Sequence, residues 1–357
     1  MTKTILDNRS EIKKIDKSNV LGSIEALPDQ IQDAWDNTKS ITFPASYSSY
    51  KNVVVSGMGG SALGSYVIKN LFKDELKIPF EVVSHYSLPS YVDSDTLVLL
   101  SSYSGTTEET LSCADSAKEK QAKIMVITSG GKLAELAKEN NWPLYLINPK
   151  FNPSGQPRMA IGYALFGQLA LFTKLGLLNI KDEQVKTLVS GLRNLSPKLT
   201  VEAVENNTAK FLAYSAFDKL IVLSGAEHLI GAVHVTNNQL NENAKTLTAE
   251  WHLPELNHHF MEGLSHPKII SDLTIFLLYN SHLYSPALTK RVEITKQLIE
   301  KMGHQVEVIQ ATAPTKLEQV CEVIMLGAYF NFYLAMLYGV DPAPIPNVDW
   351  FKAQMSK

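Results

Sequence analysis

The sequence predicts an α/β protein made of two doubly wound parallel-sheet domains. Apolar, strand-like runs alternate with amphipathic helical segments, and this alternation is typical of a parallel sheet covered by helices on both faces. The 357 residues are enough for two sizeable cores, because chains of this length usually divide into domains. A weak internal repeat indicates that the two domains are related in structure.

The first predicted domain occupies residues 1–153 and includes an N-terminal extension. Its strands are short apolar runs such as KNVVVSG, and its helices carry apolar residues at helical spacing. The segment GMGGSALG follows the first strand and opens the first helix of the sheet. We place strands at 51–57, 79–85, 95–102, 123–129 and 143–148, and helices at 61–72, 106–120 and 131–140.

Residues 154–217 are predicted to form a helical connection to a second domain at 218–357, which includes a C-terminal helix and tail. The second domain begins with DKLIVLSGAEHLIGAVHV, which repeats the strand, Ser-Gly and helix pattern of VVVSGMGGSALGSYVI. Later strands are expected at 271–280 and 303–310. We interpret the apolar helix at 327–339 as core or as a dimer interface.

Composition favours a small-molecule partner. The net charge is −3 with a pI near 6.3, and dispersed charges argue against binding to nucleic acid or an anionic membrane. The N-terminal stretch lacks an apolar signal core, and no apolar run reaches membrane-spanning length, so we expect a cytoplasmic location. Cys113 and Cys321 lie far apart in predicted helices, so we expect buried thiols rather than a disulfide framework or a metal site.

Two loops at strand ends predict an anion site. GMGGS and SSYSGTTEE each follow a strand, and ligands of open parallel sheets bind beyond the carboxyl ends of the strands. Glycine allows close approach to backbone N–H groups at a helix start, and the hydroxyls of Ser102, Ser104 and Thr107 add donors. The sequence therefore predicts a phosphate cradle without lysine or arginine.

The acids that end the hydroxyl loop are expected to point away from the bound phosphate. Glu108 and Glu109 suit the first turn of a helix, where the dipole favours negative charge. The alternative for this loop is an ordinary helix cap in a serine-rich segment. Neither loop has the spacing of a dinucleotide fingerprint or a Walker motif. NSHLYSPALT, after the second domain's corresponding strand, lacks the Ser-x-Ser-Gly-x-Thr spacing, which predicts one phosphate site per chain.

Several motifs carry a resemblance to a known family. GMGGSA, SYSGTTEET, QPRMAIGYA, LNENAKTLTAE, LPELNHH and DPAPIPNVDWFK occur in this order between residues 51 and 352. Together they resemble the bifunctional phosphoglucose/phosphomannose isomerase family, whose members are built of two sugar isomerase (SIS) domains. The hydroxyl loop alone is shared with many sugar-phosphate binders, whereas the later motifs are specific to the isomerases.

The resemblance implies an aldose-ketose isomerase that interconverts glucose 6-phosphate and fructose 6-phosphate, with mannose 6-phosphate as a second substrate and no cofactor. It implies a base at Glu242, an intermediate-stabilising cation at Arg158, and ring opening by His258 and Lys352. The histidine would come from the partner subunit, so a homodimer is implied. The residues implied to hold the 6-phosphate are Gly60, Ser61, Ser102, Ser104 and Thr107.

The chemistry requires these residue types independently of the resemblance. Moving a proton between adjacent carbons needs a base of carboxylate strength, which Glu242 can supply. The enediolate intermediate gains negative charge on oxygen, and an arginine such as Arg158 is always protonated. Opening a sugar ring requires protonation of the ring oxygen and loss of a hydroxyl proton, which suits a histidine beside a lysine. None of these steps requires a metal.

Each residue also has an ordinary alternative. Glu242 could be a surface acid, Arg158 a helix-start arginine and Lys352 a solubilising residue near the C-terminus. His258 and His259, with nearby acids, could form a metal site, although H-E-x-x-H spacing is absent. The HHF sequence here replaces the family's frequent His-Asn-Glu, which affects the expected hydrogen bonding around His258. The alternative function is a non-catalytic sugar-phosphate sensor, which would not need the base and the cation.

Overall fold

The computed structural model describes residues 4–355 and contains two parallel sheets, as expected. The first sheet has the strand order β2-β1-β3-β4-β5 and the second has the order β7-β6-β8-β9. The strands are β1 (Asn52–Gly57), β2 (Phe80–Val83), β3 (Thr96–Ser101), β4 (Lys123–Thr128), β5 (Leu144–Leu146), β6 (Leu220–Ser224), β7 (Thr248–Glu250), β8 (Thr274–Ser281) and β9 (Gln305–Ala311).

Helices precede, connect and follow these strands. In the described residues, three helices precede the first sheet, and three more join the first sheet to the second. The helices are α1 (Arg9–Ile15), α2 (Val20–Glu25), α3 (Leu27–Asn37), α4 (Leu63–Leu71), α5 (Glu108–Glu119), α6 (Gly131–Glu139), α7 (Ile161–Lys174), α8 (Asp182–Leu195), α9 (Thr208–Ser215), α10 (Ile230–Asn243), α11 (Leu256–His259), α12 (Ile270–Leu273), α13 (Pro286–Lys301), α14 (Lys316–Leu337) and α15 (Pro346–Met355).

The four strands of the second sheet have the same order as the first four strands of the first sheet, so the internal repeat in the sequence corresponds to two domains of similar structure. β6 lies between β7 and β8 as β1 lies between β2 and β3. Each central strand is followed by a short 3₁₀ turn, Gly59–Ser61 in the first copy and Glu227–Leu229 in the second. The first residue of both turns is left-handed, with φ of 48° at Gly59 and 45° at Glu227. The second copy keeps this strained conformation without the glycine that normally relieves it.

Two of the elements that differ from the sequence-based expectation are β7 and α14. β7 was not predicted, because it has only three residues and no apolar run. α14 is longer than the expected apolar helix and, by length and composition alone, could cross a membrane, so the expectation that no segment reaches that length is wrong. However, 83% of its apolar window is buried inside the protein, which is typical of a core helix.

A continuous hydrophobic core joins the two domains. α4 and α10, the helices that follow the two central strands, touch so closely that a Cβ on Gly231 would lie 2.4 Å from Val67 Cα. The buried Gln30 of α3 donates to the Met159 carbonyl at 2.9 Å and accepts from Gly162 N at 3.2 Å. The N-terminal extension therefore supports the turn that enters the site between the domains.

Candidate active site

The two predicted phosphate loops lie side by side at the carboxyl edge of the first sheet. β1 and β3 are hydrogen-bonded neighbours, with Gly57 opposite Ser101. Ser101 Oγ donates to the Ser61 carbonyl at 2.8 Å, and Tyr103 N donates to Ser61 Oγ at 2.8 Å. These two bonds fix the Gly59–Ser61 turn against the start of the hydroxyl loop.

The hydroxyl loop is a compact, internally bonded turn. Ser102 Oγ and Thr107 Oγ1 are 2.8 Å apart, and Gly105 N donates to Ser102 Oγ at 3.1 Å. Gly105 is left-handed with φ of 70°, and a Cβ there would lie 1.8 Å from the Gly130 carbonyl oxygen, so only glycine fits. Ser104 is exposed, and its Oγ accepts from Thr106.

Thr107 is the N-cap residue of α5, yet its side chain makes no capping bond to the helix. The hydroxyl is directed to Ser102 instead, so the N–H groups of the first turn keep no side-chain acceptor. Free N–H groups and the positive end of the dipole are what a phosphate needs. On this turn Glu108 is exposed and Glu109 is partly exposed.

Arg158 lies beside this cradle because Gly60 leaves room for it. A Cβ on Gly60 would lie 2.8 Å from Arg158 N and 2.9 Å from the Pro157 carbonyl carbon. The short turn Pro157–Met159 can therefore pack directly on the Gly59–Ser61 turn. This packing places the permanently charged guanidinium of Arg158 at the carboxyl edge of the first sheet.

The Arg158 side chain is fully engaged and only 1% exposed. Nη1 donates to Glu242 Oε2 at 3.1 Å and to Gln156 Oε1 at 2.9 Å. Nη2 donates to the carbonyl oxygens of Pro342 and Ala343, both at 2.8 Å. Burial lowers the pKa of the guanidinium and the charge of Glu242 opposes this, yet a guanidinium keeps its proton at neutral pH.

Three buried amide side chains complete a closed ring around Arg158. Arg158 Nε donates to Asn243 Oδ1, and Asn243 Nδ2 donates to Asn331 Oδ1 at 2.8 Å. Asn331 Nδ2 donates to Gln239 Oε1 at 3.0 Å, and Gln239 Nε2 donates back to the Arg158 carbonyl at 3.0 Å. All three amide residues are 0% exposed. Such a satisfied buried network holds the arginine in one orientation.

Glu242 lies in the last turn of α10, and its side chain is 28% exposed. It is therefore both paired with a cation and open to a ligand. Glu250 differs, because its two oxygens are each 2.8 Å from a histidine, His234 and His252. Of these two carboxylates, Glu242 is the one that adjoins Arg158.

The ring-opening candidates lie on other elements. His258 is exposed on α11, and its side chain forms no hydrogen bond or ion pair within residues 4–355. Lys352 is exposed on α15. His259, next to His258, lies 3.3 Å from Glu255. In the described part of the chain, no group of three or more His, Cys, Asp or Glu residues has a metal-binding arrangement.

Among residues 4–355, direct contacts link Gly60 and the hydroxyl loop to Arg158 and Glu242, but not to His258. Several partners of Arg158 were not predicted from sequence, although they lie within the motifs quoted above. Gln156 precedes the arginine in QPRMA, and Asn243 follows the glutamate in LNEN. The two carbonyls belong to Pro342 and Ala343 in DPAPIPNVDWFK, a motif in which only the closing Lys352 was singled out. Neither a backbone acceptor nor a buried amide has a sequence signal of its own.

Comparison with known proteins gives consistent matches along the chain. The family described as "SIS domain" matches residues 46–159, and the family described as "Bacterial phospho-glucose isomerase C-terminal SIS domain" matches residues 205–355. A bifunctional phosphoglucose/phosphomannose isomerase from Caldicellulosiruptor bescii is 37% identical over 341 residues, covering 94% of this chain and 98% of the relative.

Two further comparisons agree with this result. An Aquifex aeolicus protein of the same name is 30% identical over 309 residues, covering 86% of this chain and 91% of that protein. The crystal structure of a hypothetical protein from Thermus thermophilus superposes with a TM-score of 0.70 at 17% identity, covering 98% of this chain and 93% of the other. At that identity the structural likeness shows the fold alone.

Proposed function

Because this chain belongs to the bifunctional phosphoglucose/phosphomannose isomerase family, we propose that it interconverts glucose 6-phosphate and fructose 6-phosphate, and mannose 6-phosphate and fructose 6-phosphate. The observation that carries the proposal is the pair formed by Arg158 and Glu242 at 3.1 Å beside the hydroxyl loop. A sensor would need the loop alone. The pair supplies the cation and the base that isomerisation requires.

The substrate is anchored by its phosphate. Backbone N–H groups at the start of α5 and the hydroxyls of Ser61, Ser102, Ser104 and Thr107 surround the proposed phosphate position, with Gly60 in the adjoining turn. The cradle contains no lysine or arginine, so phosphate binding relies on oriented dipoles and hydroxyl donors. This leaves the charge of Arg158 for the reacting end of the sugar.

The proton transfer is assigned to Glu242. Its carboxylate removes the proton from C2 of the open-chain aldose and delivers it to C1, while the hydroxyl proton on O2 passes to O1, which gives the ketose. Negative charge develops on the enediolate oxygens during this transfer, and Arg158 stabilises it electrostatically. Because Arg158 is held by Gln156, Asn243 and two carbonyls, it keeps its position when Glu242 moves to the substrate.

The same intermediate explains two aldose substrates. Glucose 6-phosphate and mannose 6-phosphate differ only in configuration at C2, and both give one enediolate when that proton is removed. Return of the proton to either face of C2 then yields either aldose. The side chain of Glu242 is partly exposed, so it is not locked in one position by surrounding atoms. This supports a base that can return the proton to either face of C2.

Ring opening is assigned to His258 and Lys352, in an active site completed by a second subunit. The exposure of His258, and its lack of a side-chain hydrogen bond to residues 4–355, support a role toward a ligand or a partner chain. A homodimer with the histidine shared between subunits follows from this assignment. We also place the enzyme in the cytoplasm, in glycolysis and gluconeogenesis, where its substrates occur.

A coupled assay with glucose, mannose and glucosamine 6-phosphates tests the proposal. Fructose 6-phosphate should form from the first two sugars and not from the third, which lacks the hydroxyl at C2. A protein that binds fructose 6-phosphate in calorimetry but converts none of these sugars would be a sensor instead. Activity on glucose 6-phosphate alone would remove the mannose half of the proposal.

A further inference from the structure

Lys245 lies immediately beyond α10, where a glycine is ordinarily favoured. Its φ is 55°, and Thr246 N bonds to the Leu240 carbonyl, as expected where a helix ends in a left-handed residue. A non-glycine residue is strained in this conformation.

The Lys245 side chain folds back over the end of α10 toward the active site. Nζ donates to the backbone carbonyl of Glu242 at 2.5 Å and to the carbonyl of Pro342 at 3.1 Å. The Pro342 oxygen also accepts Arg158 Nη2 at 2.8 Å. One ammonium group therefore contacts the backbone of the base and an acceptor that the arginine shares.

We propose that Lys245 is a positioning residue that fixes Glu242 relative to Arg158 by tying the end of α10 to the Pro342 carbonyl. The last carbonyls of a helix have no partner within the helix, so the end of α10 would otherwise be free to fray. Lys245 does not reach the ion pair between Arg158 and Glu242 itself, and its bonds go to backbone oxygens. It therefore acts through the base and the cation rather than on the substrate.

The tie depends on the charge of the ammonium. The charged groups that face it are Arg158 from the turn Pro157–Met159, Glu242 from α10, and Asp341 from the segment after α14. Lys245 as a whole is exposed, but desolvation of its ammonium, and then the positive charge of Arg158, lower its pKa to about 8, whereas the two carboxylates act in the opposite direction. Below this pH the ammonium holds both carbonyls, and as pH rises through it the charge-assisted bonds weaken. Turnover should therefore decline on the alkaline side.

Lys245→Gly tests the proposal without threatening the fold. Glycine suits the left-handed backbone, so the melting temperature should be unchanged or higher. We expect kcat to fall by about 10- to 100-fold, because small misplacements of catalytic groups have effects of this size. KM for fructose 6-phosphate should stay within about threefold of wild type, because the phosphate cradle is untouched. The alkaline decline of kcat near pH 8 should disappear.

Two matched variants separate positioning from other effects. Lys245→Arg keeps a cation that stays protonated throughout the working pH range, so it should retain more activity than the glycine variant and show no alkaline decline near pH 8. Gln121→Gly changes another left-handed residue, with φ of 55°, which follows α5 before β4. This control should behave as wild type in turnover.

Wild-type kcat in Lys245→Gly across the pH range would overturn the proposal, as would a parallel loss of melting temperature and activity. The inference rests on the proposed isomerase function, so a second measurement makes the two failures distinguishable. A phosphorylated sugar hydroxamate that mimics the enediolate should bind the glycine variant at least about tenfold more weakly than wild type in calorimetry at pH 7. Tight binding by both chains overturns the role of Lys245, whereas absence of isomerisation by wild type overturns the function alone.

Discussion

Arg158 and Glu242 form an unequal pair at the residue scale. The arginine is 1% exposed and has several further partners, whereas the glutamate is 28% exposed and has no other side-chain partner among residues 4–355. Removing the glutamate therefore leaves the arginine anchored. Glu242 can therefore be substituted without displacing Arg158, whereas substituting Arg158 would leave several of its buried partners unpaired.

Glu242→Gln should abolish turnover while the substrate still binds. Glutamine keeps the shape and can still accept from Arg158 Nη1, but it cannot take a proton, and loss of a general base typically costs ~10²- to 10⁴-fold in rate. Steady-state isomerisation and exchange of the substrate C2 proton in deuterium oxide, followed by NMR, should fall together. Affinity for fructose 6-phosphate should change little.

The control for this prediction is Glu255→Gln, at an exposed acid whose partner is His259. It should retain wild-type turnover and exchange. If Glu242→Gln still exchanges the C2 proton, the base is another residue. Glu250 is the next to substitute in that case, although two histidines already occupy its oxygens.

At the scale of single elements, the hydroxyl loop between β3 and α5 should determine affinity for the phosphate. Replacing Ser104 and Thr107 together by alanine removes two donors to a charged group, each worth about 1.5–3 kcal/mol. The double variant should bind fructose 6-phosphate at least about tenfold more weakly in calorimetry, with the main effect on KM. Ser116→Ala, later in α5, should bind as wild type. Unchanged affinity in the double variant would place the phosphate elsewhere.

The helices α10 and α14 contribute through the buried amide ring. Asn331→Leu, in α14, keeps the approximate volume but leaves Asn243 without one acceptor and Gln239 without one donor. Each unpaired buried group costs about 1–3 kcal/mol in the free energy of unfolding, measurable by urea denaturation. Turnover should fall as well, because Asn243 and Gln239, which contact Arg158, each lose a partner that fixes them. Asn194→Leu, exposed on α8, is the matched control, and equal stability of the two variants would contradict a structural role for the ring.

At the scale of the whole molecule, the location of His258 predicts complementation between subunits. Inactive Glu242→Gln chains mixed with inactive His258→Ala chains should regain activity, because one site in each mixed dimer then has both groups. Random pairing restores about a quarter of all sites. Subunit exchange must be verified by native mass spectrometry. Verified exchange without any recovery would mean that His258 acts within its own chain.

Local sequence patterns determined much of the architecture. Apolar runs and helical spacing predicted the parallel sheets and the repeat, because burial on both faces of a strand leaves a continuous apolar signal. The same patterns placed Gly60, Ser61 and the hydroxyl loop at strand ends, where a parallel sheet presents its ligand edge. The three-residue β7 escaped prediction because it has too few residues to show any period.

Only the tertiary structure determined how the separate parts of the site come together. Arg158 and Glu242 are 84 positions apart, and their meeting depends on the close packing of α4 on α10 and of Gly60 on the turn Pro157–Met159. The buried amides Gln239, Asn243 and Asn331 look like surface residues in sequence, because a polar side chain is buried only when its partners are present. The role inferred for Lys245 depends likewise on a carbonyl brought near by the fold, and a backbone oxygen has no sequence signature.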